Sequence, residues 1–111
     1  FILMGLFDAT GVDDGVTVEF VTHLGQNHPN PFNPKTEIRF TLAEAGQASL
    51  KIYDAQGRLV KTLLDGVVQA GEREVIWSGD DASGHSVSSG VYFYKLETPG
   101  KVINKRMVLL K

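Results

Sequence analysis

Cysteine is absent from the 111 residues. That excludes disulfides, thiolate metal sites and cysteine nucleophiles, while leaving the compartment open, because many exported bacterial domains lack it too. Basic residues are missing from the start: no Lys or Arg precedes Lys35, whereas Asp8, Asp13, Asp14 and Glu19 all fall there. Acids are missing from the end, where Lys101, Lys105, Arg106 and Lys111 follow Glu97. An acidic start and a basic end favour head-to-tail contact, although chance segregation of charge gives the same pattern. With a net charge of -2 and no basic cluster, a general nucleic-acid binder is excluded. No apolar run approaches the roughly 18 to 20 residues that span a bilayer. Phe1 to Phe7 is too short and lacks a basic flank, so it is neither a transmembrane helix nor an intact signal peptide. A first residue of Phe rather than Met predicts a fragment or a processed product.

Proline is scarce but concentrated. Three of the four fall in His28-Pro29-Asn30-Pro31-Phe32-Asn33-Pro34. Proline fixes its own φ and pushes the preceding residue out of the helical region, so this block is extended and stiff. Phe32 is its one large apolar side chain and is expected to tuck against a domain, making Pro29, Pro31, Phe32 and Pro34 a linker clamp.

Helical periodicity is also lacking. From Lys35 onward, short alternating stretches recur between turn signals at intervals of about 8 to 12 residues. Ile38, Phe40 and Leu42 share one face of the first strand, and Ala48, Leu50 and Ile52 one face of the second. Asp54-Ala55-Gln56-Gly57 then makes a hairpin turn. Arg58 to Leu64 returns, but Leu59, Val60, Leu63 and Leu64 do not separate by face, so its register stays open. Trp77 is the expected core anchor of the next strand. Ser78 to Gly90 is a Gly, Ser and Asp-rich loop with room for a minimal strand around Ser86 to Ser88. Tyr92, Tyr94 and Leu96 form a core face, and Pro99-Gly100 turns into a last strand ending Met107-Val108-Leu109-Leu110-Lys111. About seven antiparallel strands predict an all-β, immunoglobulin-like sandwich preceded by an extended N-terminal segment. Before it, Phe1 to Asp8 reads as an apolar strand, and Gly15 to Thr22 as a second short strand or an extended linker.

The order of motifs from Gln26 to Lys111 resembles the type A C-terminal sorting domain of type IX secretion cargo, and more distantly the Ig-like domain of the flagellar hook-capping protein. The matching residues are Asn27 to Pro34, Ser49-Leu50-Lys51-Ile52-Tyr53-Asp54 with Gly57-Arg58, Ala70-Gly71 leading to Trp77, Ser89 to Leu96, and Lys105 to Lys111. Thr10 to Asp14 resembles the linker that precedes such domains. One departure is His28, where an aromatic is common in the family. The resemblance implies three parts: residues 1–8 as remnant of an upstream domain, 9–26 as linker, and 27–111 as sorting domain. It implies a non-catalytic module for secretion and cell-surface anchoring, with no cofactor or metal. Its partners would be the secretion translocon and an upstream cargo domain, in a protein exported through the outer membrane of a Gram-negative bacterium. For translocon recognition it points to Lys105, Arg106, Met107, Val108, Leu109, Leu110 and Lys111, where a basic, edge-like strand offers charge and unpaired backbone. The plainer alternative is a last core strand with solvated lysines.

Other readings stay open beside it. In a structural subunit of an extracellular assembly, residues 1–22 would self-associate by adding a strand to a neighbour. In a carbohydrate-binding accessory domain, Tyr53 and Phe93 would form the platform, although edge packing accounts for them more simply. Asp80, Asp81 and Ser83 are oxygen-rich, but their spacing fits an Asx turn better than calcium. His23, His28 and His85 lack ligand spacing, Glu72 and Glu74 read as solvated charges rather than a catalytic pair, and Ser86 to Ser89 lacks a nucleophile elbow.

Overall fold

A computed structural model describes residues 20–111. The apolar strand expected at Phe1 to Asp8, the linker motif at Thr10 to Asp14 and the alternation at Val16 and Val18 lie outside the described residues. Within them, seven strands form two antiparallel sheets: β1 (His23–Leu24), β2 (Thr36–Leu42), β3 (Gly46–Tyr53), β4 (Leu59–Val68), β5 (Gly71–Trp77), β6 (Gly90–Thr98) and β7 (Lys101–Leu109). One sheet has the order β1-β2-β5 and the other β4-β3-β6-β7. In an antibody constant domain the fourth strand lies with the first, second and fifth; here β4 pairs with β3, giving three strands against four.

Alternation decides which faces meet. Ile38, Phe40 and Leu42 of β2 and Ala48, Leu50 and Ile52 of β3 are all buried, as are Tyr92, Tyr94 and Leu96 of β6 and Met107 and Leu109 of β7. Inner faces of two packed sheets interdigitate in this way, with polar residues left outside. The β3–β4 turn is built by Asp54, whose Oδ1 accepts from the N–H groups of Gln56 and Arg58, both at 2.9 Å, while Gly57 takes φ 85°. Those bonds to the charged carboxylate, the Arg58 N–H foremost, hold the Asp54 pKa below its ordinary value.

Three features differ from the sequence reading. First, β1 was not anticipated: Leu24 is fully buried and pairs with Phe40. The sandwich thus takes in residues on the N-terminal side of the boundary set at residues 26 and 27. Second, β4 loses its face pattern because two β-bulges interrupt it. Leu50 pairs with Leu64 but Lys51 with Thr62, and Ile52 pairs with Lys61 but Tyr53 with Leu59, so Leu63 and Val60 are each an extra residue. Each bulge resets the alternation by one. Val60, Leu63 and Leu64 therefore all lean on the core while Leu59 stays exposed. Third, the minimal strand at Ser86 to Ser88 is only a single bridge, between Asp80 and Ser86.

Candidate functional site

The terminal strand β7 is an edge strand of the four-stranded sheet, and its inner side pairs with β6 from Gly90–Leu109 to Thr98–Lys101. Alternation along β7 sends Met107 and Leu109 into the core, both 0% exposed, and leaves Arg106, Leu110 and Lys111 outside. Lys105 is opposite Tyr94 on the core-facing side and is half-buried, whereas Arg106 is opposite Phe93 on the solvent face. The cations proposed for recognition are therefore not one patch. Lys105 and Arg106 point to opposite faces, and Lys111 ends the chain, its N–H donating to Ser89 Oγ at 2.9 Å.

The sequence reading gave β7 unpaired backbone along its edge. The structure corrects this, because the segment leading into the domain runs beside β7 and occupies it. Lys101 Nζ donates to Thr22 O at 3.2 Å, and Gln26 Nε2 donates to Arg106 O at 2.8 Å. Val108 N–H donates to Asn30 Oδ1 at 3.0 Å. Phe32 N–H donates to Val108 O and Leu110 N–H to Phe32 O, both at 3.0 Å, so Phe32 and Leu109 form a parallel bridge. The prolines flank Asn30 and Phe32, the residues in register with β7, and the side chains of Gln26 and Asn30 rather than their backbone meet Arg106 O and Val108 N–H.

Phe32 is 2% exposed, while Pro29, Pro31 and Pro34 lie at the surface around it. Its ring lies 5.6 Å from that of Trp77, which in turn meets Tyr92 edge-on at 5.3 Å. Each polar handle in this row is used: Trp77 Nε1 donates to Asp80 O at 2.9 Å and Tyr92 OH to Ser88 O at 2.6 Å. The Tyr92 pKa is raised, first by burial and then by the negative Asp54. Gly79 closes the junction. It has φ 68°, and a Cβ there would sit 3.3 Å from Pro34 O and 3.5 Å from Leu109 Cδ2.

A second anchor fixes the lead-in segment upstream. Tyr94 OH donates to Gly25 O at 2.7 Å and accepts from Asn27 N–H at 2.8 Å. Asn27, 3% exposed, donates from Nδ2 to Thr36 Oγ1 at 2.9 Å, and Thr36 Oγ1 donates to Pro29 O at 2.9 Å. Burial pushes the Tyr94 pKa up to about 12. Asn27 entered the sequence reading only as the first residue of the matching motif, and Thr36 was given no role. A buried Asn before a proline block and a Thr opening a strand carry no local signal of the bond between them.

Side chains weighed for other chemistry are engaged elsewhere. Asp81 Oδ1 accepts from the N–H groups of Ser83 and His85 at 2.9 and 3.0 Å, an Asx-type turn, and these bonds, that of His85 first, hold its pKa below the ordinary value. Asp80 Oδ2 pairs with Lys61 Nζ at 2.7 Å, and Glu74 with Arg39 at 3.1 Å. Tyr53 and Phe93 are direct cross-strand neighbours on the central strands β3 and β6, not at an edge. They line an open cleft of about 300 Å³ with Lys95 and Asn104, but the Lys95 ammonium already sits 5.0 Å from the Tyr53 ring centroid.

Similar structures place this architecture among known proteins. Dimeric latent PorU from Porphyromonas gingivalis superposes with a TM-score of 0.64 at 21% identity, over 86% of this chain and 10% of that one. PorZ, an essential bacterial surface component of the type-IX secretion system of the same organism, gives 0.54 at 26% identity, over 81% of this chain and 11% of that one. FlgD from Xanthomonas campestris gives 0.54 at 23% identity, over 81% and 66%. The chain thus spans about a tenth of the length of PorU and of PorZ. Comparison with curated proteins finds no match. A family model described as the FlgD Ig-like domain matches residues 30–101, from the proline block to the first residue of β7. With most of its length inside that match, the chain belongs to the FlgD Ig-like domain family.

Proposed function

We propose that the chain is a non-catalytic sorting and surface-anchoring module of a protein exported by a type IX secretion system. Its partners are the secretion translocon and a cargo that precedes it. The observation that carries the reading is the exposed basic end of a strand that is anchored in the core: Arg106, Leu110 and Lys111 stand in solvent while Met107 and Leu109 fix the strand in the core. A receptor can read such a tip without unfolding the sandwich. Two further points support it, the ordered motif series from Asn27 to Lys111 and the likeness to a segment of PorZ, itself a surface component of that system. The likeness to FlgD carries the fold alone, so hook capping is not transferred.

The test is a fusion of residues 20–111 behind a reporter in a bacterium with a working type IX system. The reporter is expected outside the cell or on its surface. Arg106→Gln with Lys111→Gln should lower that export several-fold without changing the fold measured by circular dichroism. Periplasmic retention of the intact, folded fusion overturns the proposal.

A further inference from the structure

Between Arg106 and Leu110 the outer edge of β7 has a resident occupant, and that occupant is poor at its task. Four backbone groups face outward there: Arg106 O, Val108 N–H, Val108 O and Leu110 N–H. Only the last two meet backbone, both at Phe32. The others are met by the side chains of Gln26 and Asn30, through bonds that lie open to solvent. An extended chain free of proline could offer backbone partners to all four in one register, because successive outward groups on a strand repeat every two residues. The part of the resident segment that fills the core beside β7 is the ring of Phe32, seated against Trp77 beside Leu109.

We infer that this edge is a strand-exchange site. Its partner is an extended, proline-free segment running parallel to β7 with one aromatic side chain, which enters the Phe32 seat as residues 30–32 and the Gln26 side chain lift away, Asn27 and His28 staying bound to Tyr94, Thr36 and Glu37. The inference rests on the reading of β7 as the recognised strand and adds how its main chain becomes available. Side chains of the basic tip are accessible at all times, whereas its backbone is exposed only once the proline block has left. The block is thus both a guard against unwanted edge pairing and a displaceable competitor for the intended strand.

The experiment uses the purified chain and three fluorescein-labelled nine-residue peptides, read by fluorescence polarisation. The first has the sequence of residues 26–34, the second has valine in place of its three prolines, and the third also has alanine in place of Phe32. The second peptide should bind Phe32→Ala at least tenfold more tightly than the unaltered chain, and Asn30→Ala about threefold more tightly. The first should bind more weakly than the second, and the third should not bind. Equal affinity of the second peptide for all three chains, or no binding to a folded Phe32→Ala, overturns the inference. Should Phe32→Ala fail to fold, Asn30→Ala decides alone, because the exposed Asn30 is hydrogen-bonded to β7 through Val108 N–H and fills no core position; no gain there overturns it. No secretion apparatus is involved. Export of the fusion without peptide binding removes this inference and keeps the sorting reading, and peptide binding with periplasmic retention does the reverse.

Discussion

Replacing Phe32 by alanine tests whether the proline block is held as one unit. The ring is 2% exposed and packs on Trp77 at 5.6 Å. Removing a buried phenylalanine costs roughly 3 to 5 kcal/mol when the chain around it must stay in place. Here part of the chain need not stay, because residues 30–32 are held on β7 by three bonds, each worth about 1 kcal/mol net, while Asn27 and His28 stay bound to Tyr94, Thr36 and Glu37. Those bonds scarcely offset the ordering of the segment, at about 1 to 2 kcal/mol of backbone entropy per residue, less where proline already stiffens it. Without its ring the segment lifts off, and the loss stops near the lower bound, about 3 kcal/mol. Urea unfolding followed by the emission of Trp77, the one tryptophan, should show the midpoint falling by about 1.5 M, taking a slope of about 2 kcal/mol per M. The native emission should also shift to the red as water reaches the indole. The sharper test is a double-mutant cycle. Asn30→Ala alone should cost about 1 kcal/mol by orphaning Val108 N–H, but close to nothing in the Phe32→Ala background, where the segment has already left. Full additivity would refute the idea that the segment acts as a unit, and a midpoint shift under about 0.3 M would refute the placement of Phe32 in the core.

Other expectations follow from the same contacts. Tyr94→Phe removes the hydroxyl shared by Gly25 O and Asn27 N–H and should cost about 1 to 3 kcal/mol in urea unfolding, since both partners are left unsatisfied. In the unaltered chain the Tyr94 pKa rises from 10.0 to about 12 on folding. Its hydroxyl therefore favours the folded state fully below pH 10 and progressively less between pH 10 and about 12; thermal melts across that window should show a step that Tyr94→Phe lacks. Gly79→Ala should destabilise more than Gly84→Ala. Both positions have positive φ, 68° and 85°, costing about 1 to 2 kcal/mol each. Only at Gly79 does the new methyl also press on Pro34 O and Leu109, whereas Gly84 has open space. Glu74→Gln should shift stability by less than about 0.5 kcal/mol at ordinary salt, because its pair with Arg39 is solvent-exposed.

The sandwich was legible wherever one strand kept one face inward. Ile38, Phe40 and Leu42 declare β2, and Tyr92, Tyr94 and Leu96 declare β6, because period-two alternation is a local property that survives in the sequence. What escaped was non-local or irregular. The two bulges in β4 interrupt the period that would have revealed it, and β1 is two residues long, too short to show any period. The site was legible in its parts and illegible in its assembly. Phe32 and the basic end of β7 both stood out, but as opposite ends of the domain with separate roles. Gln26 and Arg106 are 80 residues apart in sequence and Asn30 and Val108 are 78 apart. Each pair joins a side chain to a backbone group, whose chemistry is the same at every position, so no residue type could announce the partner.

The parallel course of the lead-in segment and β7 has a mechanical consequence. Thr22 lies beside Lys101 at the start of β7 and Phe32 beside Leu109 near its end, a span of roughly 30 Å at the usual strand rise. Tension applied between Phe20 and Lys111 therefore pulls the two lengths past one another along their axis. The bonds at Gln26, Asn30 and Phe32 are loaded together in shear rather than opened one after another like a zip, and the Phe32 ring would have to be dragged sideways out of its seat. A strand peeling β7 from its Leu109 end would meet those same bonds singly. The domain is thus built to resist a pull along its length and to yield to one from the side.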